Sequence, residues 1–127
     1  MGKPIGTPQL TPDHTELVIL SLLRDGPSYG YAISKLVAAR SDEAFKVGAS
    51  QLYPLLTKLE KQGLVETDWE EIKAKSAGPD DNGRKRKWYK LSAKGQRRLQ
   101  QRIEAHQRFT SIINSFIAGS ESTGAVA

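Results

Sequence analysis

Between Val47 and Leu91 the chain passes from VGASQLYPLLTKLEKQGLV through a polar segment into GRKRKWYKLS. Leu52, Leu55, Leu56 and Leu59 fall at i, i+3, i+4 and i+7, one face of a helix of about Ala49 to Gln62. Ser50, Gln51, Thr57, Lys58 and Lys61 are left for its other faces, and Gly63 is suited to end it. A two-residue alternation follows, with Val65, Thr67 and Trp69 on one side of a strand. On a return strand of about Arg84 to Leu91, Lys87, Tyr89 and Leu91 alternate with Arg86, Trp88 and Lys90. A helix followed by a basic hairpin is the order of a winged helix-turn-helix. The expected fold is mostly α, with a small antiparallel β-hairpin and a further C-terminal helix.

Earlier in the chain, Thr11-Pro12-Asp13 offers a capping hydroxyl, a proline at the first helical position and an acid near the positive end of the helix dipole. A first helix is predicted from about Pro12 to Arg24, with Leu17, Val18, Leu20, Leu22 and Leu23 apolar and Asp25-Gly26-Pro27 ending it. Ser28 is the expected cap of a second helix, Tyr29 to about Arg40, with Ile33, Leu36 and Val37 inward and Lys35 and Arg40 wet. Pro54 removes one backbone hydrogen bond from the third helix and predicts a loosened or kinked N-terminal turn there.

Ser92 caps a last helix from Ala93, in which Leu99, Ile103, His106, Phe109, Ile113 and Phe116 recur at spacings of three and four. The stripe runs past the domain core and calls for a partner, for which a second copy of the chain is the economical choice. The expected organisation is a flexible leader over 1–10, a winged helix-turn-helix over 11–92, a dimerisation helix over 93–118 and a disordered tail over 119–127. The polar turn from Ser76 to Gly83 is expected to be flexible.

The chain of 127 residues suffices for one domain, and its formal charge of +5 is strongly local. Nine of the nineteen basic residues lie between Arg84 and Arg102, with no acid among them. That stretch favours a polyanion. Glu66, Asp68, Glu70 and Glu71 crowd the preceding strand, where they can pair with the basic arm or form a solvated, salt-bridged sheet face. Zero cysteines exclude disulfides and thiolate chemistry. Without a bilayer-length apolar run or the apolar core of a secretory signal, the expected location is cytoplasmic, with no membrane partner.

An amphipathic helix can lie in the major groove of double-stranded DNA while a cationic hairpin reaches the neighbouring backbone or minor groove. Ser50, Gln51 and Tyr53 at the start of the third helix are candidate DNA contacts, Gln51 addressing adenine, and Lys58 is a candidate backbone contact. Arg84, Lys85, Arg86 and Lys87 are the candidate wing contacts. Tyr29 and Tyr31 flank Gly30 where phenols and amides can clamp phosphate, one of the two rings being expected in the core. Capping, surface polarity and a solvated basic turn are the structural alternatives for these residues.

Trp69 and Trp88 can line a pocket, although packing or cross-strand pairing is the commoner role. His14 and His106 are far apart in the chain and carry no metal or proton-transfer spacing, and Asp80-Asp81-Asn82-Gly83 lacks the alternating ligands of a calcium loop. No metal or cofactor is expected, and the sequence carries no nucleophile elbow, phosphate loop or carboxylate pair that would make an enzyme. The alternative to a DNA reader is a winged-helix adaptor whose basic wing binds an acidic protein.

Three ordered motifs, GPSYGYAI at Gly26 to Ile33, QLYPLLTKLEKQGLV at Gln51 to Val65 and GRKRKWYKLSAKG at Gly83 to Gly95, resemble those of PadR-type transcriptional regulators. The resemblance covers Leu17 to about Phe116. It implies a dimeric winged-helix repressor on an inverted-repeat operator, with the single C-terminal helix of the compact subfamily, released from DNA by a small-molecule effector in many members. The chain departs from the family pattern at Ala32, where Glu is frequent, and at Gly48-Ala49-Ser50-Gln51 before Leu52-Tyr53-Pro54. Its last helix lacks the drug-stacking tryptophan of some compact members, and its polar insert from Ile72 to Asn82 is long for a wing.

Overall fold

A computed structural model describes residues 9–72 and 85–123. Residues 1–8 of the leader, the Ser76 to Gly83 turn with its aspartates, Arg84 and the last four residues of the tail lie outside the described residues. The elements run α1 (Pro12–Arg24), β1 (Ser28–Tyr29), α2 (Gly30–Arg40), α3 (Ala49–Lys61), β2 (Val65–Glu71), β3 (Lys85–Leu91) and α4 (Ala93–Thr123).

Helix α1 starts where its cap dictates: the Thr11 hydroxyl accepts from the His14 N–H at 3.1 Å, with Pro12 just inside the helix. Gly26, at φ 153°, then turns the chain. Ser28 does not cap α2, as its sequence position suggested; it lies buried in β1, and Tyr29 stands at the N-cap position without a side-chain hydrogen bond. The physical reason is the outer edge of β3, whose backbone groups need partners. Ser28 pairs with Tyr89 and Tyr29 with Trp88, giving a three-stranded antiparallel sheet in the order β1-β3-β2.

Helix α3 runs unbroken through Pro54, so the expected kink does not divide it. It ends in a paired-bond C-cap at Gly63 (φ 74°): Gly63 N–H donates to Glu60 O at 3.0 Å and Leu64 N–H to Leu59 O at 2.9 Å. Leu52, Leu56 and Leu59 are fully buried against Ile19 and Leu20 of α1 and Ile33 of α2, and Val65, Tyr89 and Leu91 close the core from the sheet. Leu36 remains 40% exposed, so the inward face of α2 is narrower than its sequence pattern.

The Ser92 hydroxyl caps α4, accepting from Gly95 N–H at 2.9 Å, and donates to the Gly63 carbonyl at 2.6 Å. A Cβ at Gly95 would collide with the Leu64 carbonyl oxygen, so glycine permits the start of α4 to seat on the root of the hairpin. Leu99 is buried in the core of its own chain and Ile103 packs at its edge. Gly119, at φ 60° and ψ −150°, interrupts the helical backbone.

Candidate nucleic-acid interface

The start of α3 is set by a close packing of rings on bare backbone. Tyr53 lies over Gly30, where an added Cβ would overlap the phenol ring, so the first turns of α2 and α3 meet more closely than side chains would allow. Beyond that contact the exposed residues of α3 are Ala49, Ser50, Gln51, Pro54, Thr57, Lys58 and Lys61, a face of small, polar and cationic groups with no carboxylate. Ser50, Gln51 and Lys58, singled out from the sequence, therefore share one accessible surface, while Tyr53 is half-buried at its edge.

The wing is less freely cationic than its sequence. Arg86 lies 4.1 Å from the Tyr29 ring centroid and 3.8 Å from the Glu70 carboxylate, with 15% of its side chain exposed. Trp88 meets Tyr29 edge-on at 5.0 Å and donates its indole N–H to Glu70 at 2.8 Å. Tyr29 thus docks the start of α2 on the hairpin, and neither Tyr29 nor Tyr31 is fully buried. Lys87 reaches Glu60 at 3.0 Å, and Lys90 reaches Glu66 at 3.6 Å. Lys85 is exposed, opposite Glu71 in the register. The acidic strand pairs with the basic one, Glu66 facing Lys90 and Glu70 facing Arg86.

Glu60 stands out electrostatically. The hydrogen bond from Lys87 holds its carboxyl below the ordinary value of 4.5; partial burial opposes this, and the charge of Lys87 and a hydrogen bond from Thr67 add to it. No local pattern signals this contact, since Lys87 reads as one more wing cation.

Two charged and polar clusters at the α1–α4 junction are equally invisible to sequence reasoning. The Glu16 side chain, 3% exposed, receives Arg102 Nε at 2.8 Å and lies 3.5 Å from Arg98, and Arg102 also reaches Asp13 at 3.3 Å. His14 and His106, distant in the chain, meet with ring centroids 5.8 Å apart in an edge-on arrangement. Among the described residues, no group of three or more His, Cys, Asp or Glu could hold a metal ion. An open cleft of about 390 Å³ beside this junction is lined by Thr11, His14, Leu17, Arg102, His106 and Phe109. Further along α4, Phe109, Ile112, Ile113, Phe116 and Ile117 are 42–78% exposed at spacings of three and four. Ile112 and Ile117 widen the stripe read from the sequence, and His106 lies at its near end.

The model of the transcriptional regulator PadR-like family matches residues 19–101, from the middle of α1 into α4. The chain belongs to the PadR-like family of transcriptional regulators. Its winged-helix fold is also that of solved relatives. This PadR-like chain is similar to a transcriptional regulator from Clostridium thermocellum, at 28% identity and TM-score 0.70, covering 83% of this chain and 94% of that one. It is similar to a PadR-like transcription factor from Bacteroides fragilis at 31% identity and TM-score 0.64, covering 83% and 91%. An uncharacterised protein of Lysinibacillus sphaericus is 27% identical over 108 residues, 85% of this chain and 92% of that protein. Among the described residues of this PadR-like protein, no helix is long and apolar enough to cross a membrane.

Proposed function

We propose that this PadR-like protein is a cytoplasmic, sequence-specific repressor that binds an inverted-repeat operator as a homodimer. The carboxylate-free exposed face of α3 carries the reading: Ser50, Gln51, Thr57, Lys58 and Lys61 present donors and cations to a polyanion without a repelling acid. Gln51 reads a base edge, Ser50 and Lys58 bind phosphate, Tyr53 supports the N-terminal turn, and Lys85 is the described wing residue that meets the flanking backbone. Arg86 and Tyr29, stacked on each other, orient the wing against α2.

Dimerisation through α4 is supported by the exposed stripe from Phe109 to Ile117, larger than scattered surface hydrophobes explain. A small-molecule effector that releases the operator would have room in the cleft between α1 and α4, where ligand and dimer seam adjoin.

Selection of genomic DNA fragments by the purified protein at low and moderate salt, followed by footprinting, tests the proposal. Retention of an inverted repeat at moderate salt supports it. Absence of sequence enrichment at every salt concentration overturns it.

A further inference from the structure

One carboxylate joins α3 to both strands of the wing. Thr67 of β2 donates its hydroxyl to Glu60 Oε2 at 3.2 Å, and Lys87 of β3 places its ammonium 3.0 Å from Glu60 Oε1. The same ammonium lies 5.6 Å from the ring centroids of Trp69 and Tyr89, so a carboxylate and two aromatic rings flank it while part of the side chain stays exposed. The root of the hairpin is pinned separately, where Ser92 N–H donates to Leu64 O at 3.0 Å and Lys94 donates to the Gln62 carbonyl at 2.8 Å.

From Val65 to Glu71 the strand extends about 20 Å, so a swing of about 10° at the root displaces its end by about 3.5 Å. That exceeds the range over which a hydrogen bond to DNA survives. We infer that Glu60 is a positioning residue for DNA reading, setting the angle between α3 and the wing, with Lys87 part of this joint rather than a phosphate contact. The inference rests on the proposal that α3 and the wing are the DNA-binding elements.

A role in charge alone has the opposite sign. Removing a negative charge near DNA tightens binding of a polyanion, whereas loosening the joint weakens it. Glu60→Gln therefore separates the two, keeping the side-chain shape and an acceptor for Thr67. The test compares the unaltered full-length protein with Glu60→Gln, Glu60→Ala and Lys87→Met. Affinity for a retained DNA fragment is measured across salt concentrations, the fragment is footprinted, and amide hydrogen exchange is followed without DNA.

Both Glu60 variants are expected to bind about two- to fivefold more weakly, the scale of one partly exposed ion pair. Their footprints shorten at the wing flanks and keep the central protection. Lys87→Met keeps the salt slope of the unaltered protein. In both Glu60 variants, exchange speeds up from Thr67 to Glu71 and from Lys85 to Lys87, while Leu64, Val65 and Leu91 stay protected. Equal or tighter binding by Glu60→Gln overturns the inference, as does a salt slope reduced by about 0.9 in Lys87→Met. If the unaltered protein retains no DNA, the DNA-binding proposal fails by itself, and the exchange data then decide the joint: faster exchange keeps it and unchanged exchange removes it. Should Glu60→Ala fail to fold, Glu60→Gln carries the comparison.

Discussion

Arg102 donates its Nε hydrogen to the Glu16 carboxylate at 2.8 Å across 86 residues of sequence, fastening α4 to α1. Glu16 is almost wholly buried while Arg102 keeps 29% of its side chain exposed, so the two ends of this ion pair are not equivalent. The carboxylate depends on its partners; the guanidinium retains access to water.

Loss of either partner should consequently cost different amounts. Arg102→Met strands a buried carboxylate and is expected to destabilise the fold by about 3–5 kcal/mol, less whatever Arg98 recovers. Glu16→Gln leaves partly solvated cations and a neutral acceptor, and is expected to cost about 1–3 kcal/mol. Urea unfolding of both variants checks the order, and a larger loss in Glu16→Gln contradicts it.

Legibility followed the range of the interactions. Helix α1 was readable because Thr11-Pro12-Asp13 and Asp25-Gly26-Pro27 are local signals that act before any tertiary contact forms. Strand β1 was not, because two residues have no periodicity and pair only once β3 offers its edge. The same limit hid the ties from Glu16 to Arg102 and from Glu60 to Lys87, and the meeting of His14 with His106. A charge whose partner lies on a distant element with no local pattern to point to it is read as solvated until the fold supplies that partner. Arg86 shows this on the candidate site: its basic run was visible, but its packing on Tyr29 was not.

The exposed α4 stripe makes a prediction about assembly. Phe116 is 78% exposed in the single chain, and a two-fold interface would bury it once in each protomer. Phe116→Glu is expected to weaken dimerisation by about 2 kcal/mol or more per protomer, about a thousandfold in the dissociation constant. Sedimentation equilibrium reads this directly. A dimer of undiminished affinity would place the interface elsewhere.

Gln51 and Lys85 are expected to fail in different ways. Gln51→Ala should alter preference at one operator position by about 1–3 kcal/mol, because a bidentate amide discriminates one base from another. Lys85→Ala should weaken all sequences alike and lower the salt slope by about 0.9 for each phosphate that the wing no longer neutralises. Binding measured on an operator series at several salt concentrations separates them. Uniform loss in Gln51→Ala would reduce that residue to a backbone contact.

Glu60 predicts a pH dependence with a definite sign. Its carboxyl in the folded protein lies below the ordinary value of 4.5, chiefly through the hydrogen bond from Lys87, so the unfolded chain takes up this proton first as acid is added. The contribution is complete above the unfolded value and is lost as pH falls through the folded one. With 38% of the Glu60 side chain exposed, solvent screening holds it to about 0.2–1 kcal/mol. Glu60→Gln cannot titrate, so the stability gap between the protein and this variant should be constant above about pH 5 and narrow progressively below it. Urea unfolding at a series of pH values measures the gap. A difference that persists undiminished in strong acid would mean that the glutamine perturbs packing and that the Lys87 contact contributes no pH-dependent stability.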